Sequence, residues 1–279
     1  MSPRKRAALG AAALTMLALT GCAQVLEQTD RFLREEAEQI VGPVTFDQVD
    51  PDAPFAGSPA ADYGVGFDTP EPAAQGDFTA EQVEWAHDRT RLLLEAVYLD
   101  TDAVFDEDNS EFTGLLTGQS LEWYLDHLGH EDPELDSRGI PFNLTPGTAE
   151  LIGDEIRVDG RMWAEASQDP NGQDYLAVRT EYVVVYPIAR PGDPVSVRLV
   201  VTHLGEVAFY DLGDGTLEAW PHWYRGAAPV HCLPDARMFT PAYPDERPDG
   251  ERPRGLTQDD AYDLEDTRDR DGCGAVKDT

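Results

Sequence analysis

His203 is the residue of this sequence whose type and position best suit acid–base chemistry. In a segment of alternating apolar residues it falls on the same strand face as Val201. The same alternation places Tyr182 and Tyr186 together on one face of the preceding segment. A histidine beside tyrosines in a cavity can act as a general base or bind a ligand. The competing interpretation is a core or rim histidine with one satisfied hydrogen bond, and the sequence favours it.

Acidic residues are numerous, but their spacing does not match a cation site. A calcium loop needs several oxygen ligands around a sharp glycine turn. The cluster at residues 100–111 lacks that glycine, and in the cluster at 259–271 the first ligand position is occupied by Thr267. His127 and His130 have no third histidine beside them, so we expect a helix-terminal pair rather than a metal site. We predict neither a metal nor a cofactor.

Several function classes find no support in the sequence. It contains no Gly-x-Ser-x-Gly elbow and no glycine-rich phosphate loop, so we assign no catalytic residue. Its 54 acidic and 21 basic residues give a formal net charge of −33 at pH 7. Nucleic acids and anionic lipids are bound by clustered lysine and arginine, so we do not expect them as partners.

Cys22 occupies a position typical of a lipid attachment site. It ends the tetrapeptide Leu-Thr-Gly-Cys, which follows a basic start and an apolar core over residues 7–19. That core has the length of an export signal and is too short to span a bilayer as a helix. The pattern predicts cleavage before Cys22 and a diacylglyceryl group on its thiol, which attach the protein to the outer side of the cell membrane.

The other two cysteines, Cys232 and Cys273, form one candidate pair in an oxidising compartment. We predict a disulfide between them, closing a loop of about 40 residues. The alternative is a zinc site that also uses His231. Two cysteines and one histidine leave a structural zinc ion one ligand short, which favours the disulfide.

Two helices are indicated after residue 78. Thr79 followed three residues later by Gln82 matches a capping box and predicts a helix start. A second helix is predicted over about residues 119–128, ending at Gly129. Between the two we expect the acidic segment 100–111 to be a loop.

From residue 156 onward the apolar period changes from helical to two. This alternation predicts four strands joined by hairpin turns, with a bulge at Gly205 in the third. Helices followed by such a meander indicate an α+β fold, with the helices packed on one face of a long, twisted antiparallel sheet of about four strands. The predicted strands cover about residues 155–168, 174–188, 194–211 and 216–225.

Composition and periodicity together divide the chain into five parts. A signal peptide precedes an amphipathic juxtamembrane helix, and a Pro-, Gly- and Ala-rich stretch then reads as a flexible linker. The α+β domain follows, and an acidic, irregular tail held by Cys273 ends the chain. These parts span residues 1–21, 22–42, 43–78, 79–240 and 241–279.

Two runs in the first strand pair resemble a known family. Asp-Gly-Arg-Met-Trp-Ala-Glu-Ala at residues 159–166 and the run from Asn171 to Tyr182 are similar to those of actinobacterial lipoproteins of unknown function. The resemblance covers most of residues 79–275. The helix-then-meander order is also similar to the cone-shaped nuclear-transport-factor-2-like fold. These resemblances imply a cell-surface lipoprotein and transfer no catalytic residue.

Three functional hypotheses follow from the sequence. The leading one is a non-enzymatic lipoprotein, anchored through Cys22, that binds an envelope protein or a small ligand. The second is a small hydrolase or isomerase that uses His203 and a nearby carboxylate. The third is a structural spacer of the envelope.

Overall fold

The computed structural model describes residues 48–132, 135–231, 237–246 and 261–264. Its helices are α1 (Ala80–Tyr98), α2 (Thr101–Asp106), α3 (Ser110–Leu115) and α4 (Gly118–Asp126), with short 3-10 turns at Pro59–Asp62 and Ser137–Gly139. Its strands are β1 (Glu150–Leu151), β2 (Arg157–Gln168), β3 (Asp174–Ala189), β4 (Ser196–Asp211) and β5 (Leu217–Ala228). None of the helices in these ranges is long and apolar enough to cross a membrane.

The predicted capping box begins α1. The Thr79 side chain accepts a hydrogen bond from the Gln82 backbone N–H, and the Gln82 side chain accepts one from the Thr79 N–H. These two bonds satisfy donors that the first turn of a helix leaves free. Along its length α1 buries Val83, Leu93 and Val97 against the sheet.

Most of the acidic segment at residues 100–111 is helical, so the prediction of a loop is wrong for it; residues 107–109 connect the two helices. Asp100 accepts from the backbone N–H of Asp102 at the start of α2, and Asp108 accepts from the N–H of Ser110 at the start of α3. Carboxylates are favoured at helix N-termini, where they neutralise the positive end of the dipole. Phe112 in α3 is fully buried, and this apolar anchor fixes the helix onto the core.

All four predicted strands are present, and their ends lie within three residues of the predicted positions. Strands β2 to β5 form consecutive antiparallel hairpins, and the two-residue strand β1 also pairs with β3. The turns close as predicted; for example, the N–H of Gly172 donates to the carbonyl of Asp169 at 2.9 Å. The α+β fold is therefore confirmed, with a fifth short strand added to the sheet.

Gly205 does not mark a bulge, contrary to the prediction. It pairs in unbroken register with Thr180 on β3 and Trp223 on β5. A Cβ atom at Gly205 would lie 2.2 Å from the Cβ of Trp223. The glycine is therefore needed because the Cα and Cβ atoms of Trp223 and the carbonyl of His222 leave no room for a side chain.

The sheet has an inner face packed against the helices and an outer face. Within the predicted linker at 43–78, the structure describes residues 48–78, and several of them are buried against the sheet. Phe55 joins a cluster with Val183 and Val200 on the outer face. On the inner side Phe67 is 4% exposed and contacts Tyr182. Single aromatic residues such as Phe55 and Phe67 make these contacts. Because they are widely spaced in a sequence rich in Pro and Gly, they produce no periodic pattern.

The predicted tail at 241–279 also begins within the folded domain. Tyr243 is buried and its hydroxyl donates to the carbonyl of Thr148 at 2.8 Å. Ala261 is buried in the same outer cluster as Phe55. The domain therefore extends beyond both boundaries predicted from the sequence. The predicted helix at 22–42 lies outside the described residues.

Candidate functional site

His203 lies in the centre of the core, on the inner face of β4. It is 0% exposed. Its Nδ1 atom shares a hydrogen bond of 2.8 Å with the hydroxyl of Tyr98 on α1. Its Nε2 atom shares one of 2.7 Å with the hydroxyl of Thr180 on β3. Both ring nitrogens are therefore satisfied by neutral hydroxyl groups.

This environment keeps the imidazole of His203 neutral. Burial, and secondly the positive charge of Arg225, lower its pKa from 6.5 to about 3. A general base must reach its substrate, and His203 has neither solvent exposure nor a free ring nitrogen. The hydrolase hypothesis requires a carboxylate beside His203, but both hydrogen-bond partners of His203 are hydroxyl groups. The geometry describes a polar contact that joins α1, β3 and β4.

The two tyrosines predicted to accompany His203 lie near it in different roles. The hydroxyl of Tyr186 donates to the backbone carbonyl of Tyr98 at 2.8 Å, which extends the polar network. The ring of Tyr182 lies edge-on to Phe67, with the ring centres 4.9 Å apart. Its hydroxyl is buried and has no hydrogen-bond partner. Burial raises the pKa of both tyrosines, so both stay protonated.

The candidate metal ligands serve other purposes. His127 stacks on Trp123 at 4.4 Å between ring centres, and its Nδ1 bonds to the Trp123 carbonyl oxygen. His130 accepts from the N–H of Asp132 through its own Nδ1. Over the ranges that the structure describes, no group of three or more histidine, cysteine or acidic side chains is arranged to hold an ion.

The cysteine predictions are not addressed by the structure. Cys22, Cys232 and Cys273 all lie outside the described residues. His231, the third ligand of the alternative zinc site, is described. Its Nε2 lies 3.2 Å from a carboxylate oxygen of Glu246.

The outer face of the sheet carries a group of partly exposed aromatic side chains, which we call the outer aromatic face. Tyr224 is its most prominent member and is 73% exposed. Strand alternation places these side chains on the side opposite His203, and the cluster centred on Phe55 covers a different part of that side. The outer aromatic face consists of Trp163, Tyr210, Trp220 and Tyr224.

Supporting contacts hold these rings in place. Tyr175 on β3 stacks beside Tyr210 on β4, with the ring centres 5.4 Å apart and the planes inclined at 30°. The guanidinium of Arg161 lies 5.2 Å from the ring centre of Trp163. Trp220 donates from Nε1 to Glu218 at 3.2 Å. These contacts restrict the orientations of the three rings.

A row of paired charges crosses the same face. Arg179 bridges Glu165 on β2 and Glu206 on β4, the second at 2.8 Å. Beside it Arg161 pairs with Glu181 at 2.6 Å. Each of these three carboxylates beside the aromatic rings therefore has a guanidinium partner within the sheet.

Alternation along β5 divides its aromatic residues between the two faces of the sheet. Trp223, which lies only one residue from Tyr224, points to the inner face, where its Nε1 donates to the carbonyl of Ile140 at 2.9 Å. Strict alternation along β5 would have assigned Trp220 and Tyr224 to one face and Trp223 to the other. Comparison with known proteins gave no matching family profile, no similar curated protein and no similar solved structure.

Proposed function

We propose that this protein is a non-enzymatic, lipid-anchored binding module of the cell envelope. The Leu-Thr-Gly-Cys tetrapeptide and apolar leader support attachment through Cys22 on the extracellular side. The outer aromatic face is the observation that carries the binding role. Tryptophan and tyrosine supply large contact areas at low entropic cost and are enriched in binding surfaces.

The partner in this proposal is an envelope protein or a small ligand that contacts Trp220 and Tyr224. Tyr224 exposes most of its ring although it lies within a strand of the sheet. A monomeric domain gains nothing from leaving such a side chain in water, and a partner that covers it gains the burial of its apolar area. The paired charges of Arg179 and Arg161 would form the polar rim of such a contact.

A pull-down from native membranes tests this proposal. The lipidated protein is cross-linked in cells, recovered and analysed by mass spectrometry beside a variant carrying Trp220→Ala and Tyr224→Ala. We expect partners that wild type recovers to fall at least tenfold with the double variant. Val65→Ala is the matched control, because Val65 is 67% exposed and lies outside the outer aromatic face.

Two results would contradict the proposal. Equal recovery of every partner by wild type and the double variant would exclude the outer aromatic face as the contact surface. A Cys22→Ala variant that remains in the membrane fraction and still incorporates labelled fatty acid would exclude Cys22 as the anchor. The second result leaves the binding role intact, so the two parts of the proposal fail separately.

A further inference from the structure

Arg225 on β5 is a cation held in an apolar setting. Its side chain is partly buried and its guanidinium carbon lies 5.6 Å from the ring centre of Phe239. One terminal nitrogen donates to the carbonyl of Ile140 at 3.3 Å. The Nε atom is buried and has no acceptor. The guanidinium therefore retains a donor without an acceptor in a partly buried side chain.

No carboxylate among the described residues forms an ion pair with Arg225. Most other arginines in these ranges have such a partner; Arg190, for example, pairs with Asp245 at 2.7 Å and with Glu246 at 2.6 Å. Carboxylates are lacking only around Arg225, since the chain contains 54 acidic residues. A partly buried charge without a counter-ion is unfavourable, and a bound anion would relieve that cost.

A second arginine lies in the segment that carries Phe239. Arg237 precedes Phe239 by two residues and donates from Nε to Asp136 at 2.9 Å. The same carboxylate already accepts from Arg138 at 2.7 Å and from the N–H of Gly129. Asp136 thus supplies one negative charge to two guanidinium groups. Burial and the positive charge of Arg237 both lower the pKa of Arg225, while the nearby Tyr98 hydroxyl raises it.

We propose that Arg225 and Arg237 form a binding site for a small organic anion whose carboxylate or phosphate group faces the two guanidinium groups. The planar donor fork of arginine matches both kinds of oxyanion. The partly buried ring of Phe239 supplies an apolar wall for the carbon part of the ligand. The net charge of −33 does not prevent binding, because salt screens distant charges within about 8 Å at physiological ionic strength.

This site goes beyond the proposed function and does not depend on it. Arg225 shares a register position with His203 and so lies on the inner face of the sheet. The outer aromatic face occupies the opposite side. Loss of anion binding and loss of partner recovery are therefore separate outcomes, each measured with its own variants.

Calorimetry and thermal unfolding with benzoate and inorganic phosphate test the anion site. At constant ionic strength in sodium chloride, we expect saturable heat and a Tm that rises with probe concentration. The Arg225→Gln variant should bind the better probe at least tenfold more weakly. Arg89→Gln is the matched control and should bind as wild type does, because Arg89 also lies over an aromatic ring, that of Trp85 at 5.5 Å.

Two further variants keep the test decisive. Should Arg225→Gln fail to fold, Arg225→Met retains the apolar stem of the side chain, and Arg237→Gln removes the second cation. Weaker binding by either folded variant supports the site. The proposal is overturned by the absence of saturable binding to wild type, or by equal affinities of wild type and these folded variants.

Discussion

The hydroxyl oxygen of Tyr98 lies 2.8 Å from Nδ1 of His203, and this contact joins α1 to the centre of the sheet. The two residues are 105 positions apart in the sequence. Thr180 completes the arrangement from β3 at 2.7 Å. A buried histidine with two hydroxyl partners fixes the position of the helix on the sheet, because displacement of either element would strand a polar group in the core.

Replacement of Tyr98 by phenylalanine tests this structural role. The change removes one hydroxyl and leaves Nδ1 of His203 buried without a partner. We expect the free energy of unfolding to fall by about 1–3 kcal/mol, measured by urea denaturation. Tyr224→Phe is the control, since the exposed Tyr224 side chain should lose its hydroxyl with little effect. Equal stability of the two variants would argue against the buried hydrogen bond.

The pH dependence of stability reports the charge state of His203. Its pKa is about 3 in the folded protein and 6.5 in the reference state, so the unfolded chain binds the extra proton between these values. The stabilisation is complete above pH 6.5 and is lost as the pH falls towards 3. Between pH 7 and pH 5 we expect wild type to lose about 2 kcal/mol relative to a His203→Gln variant.

The comparison with His203→Gln removes the contribution of other groups. His87 also has its pKa lowered by burial and would destabilise both proteins equally on acidification. Denaturant titrations of both proteins at several pH values give the difference directly. A difference that stays constant from pH 7 to pH 5 would contradict a neutral, buried His203.

Gly205→Ala should disrupt the centre of the sheet. The new Cβ would lie 2.2 Å from the Cβ and 2.5 Å from the Cα of Trp223. Relief of this clash requires the backbone of β5 to shift, which costs free energy. We expect a loss of at least about 2 kcal/mol in thermal unfolding. Gly114→Ala is the matched control in α3, because its Cβ meets nothing within 4 Å and alanine favours a helix. A Gly205→Ala variant as stable as Gly114→Ala would refute the close approach.

Phe67→Ala tests whether the segment before α1 belongs to the folded domain. Phe67 packs against Tyr182 and Tyr98 in the core. Its truncation should lower the free energy of unfolding by about 3 kcal/mol, measured by chemical denaturation. Val65→Ala in the same segment should have little effect because Val65 is mostly exposed. A flexible linker would instead make both substitutions neutral.

Much of the strand architecture follows from the sequence because alternation is a local property. The face on which a residue of β3 or β4 lies depends only on its position in the alternating pattern, so the sequence predicts that Tyr182 and Tyr186 share one face and that His203 shares one with Val201. The capping box at Thr79 is equally local, since its bonds span three residues. The cysteine pattern likewise predicts an anchor and a disulfide without reference to the fold.

The acidic helices α2 and α3 were missed because the abundance of aspartate and glutamate suggested a solvated loop. Asp100 and Asp108 instead accept hydrogen bonds from backbone N–H groups at the starts of the two helices, and a single apolar residue, Phe112, anchors α3 in the core. Residues 48–78 were missed for a related reason. Their few aromatic anchors have no period, and only the presence of the sheet gives them a surface on which to pack.

The sequence by itself determined the helix that begins after Thr79, the order of the four long strands, the alternation of side chains along them, the acidic charge and the predicted lipid anchor. Only the tertiary structure decided the hydrogen-bond partners, the exposure and the counter-ions of those residues. It pairs both ring nitrogens of His203 with the hydroxyl groups of Tyr98 and Thr180. It leaves Tyr224 exposed on the opposite face and gives Arg225 no carboxylate partner among the described residues. The physical reason is that alternation is encoded between neighbours, whereas hydrogen-bond partners, exposure and counter-ions depend on segments brought together from distant parts of the chain.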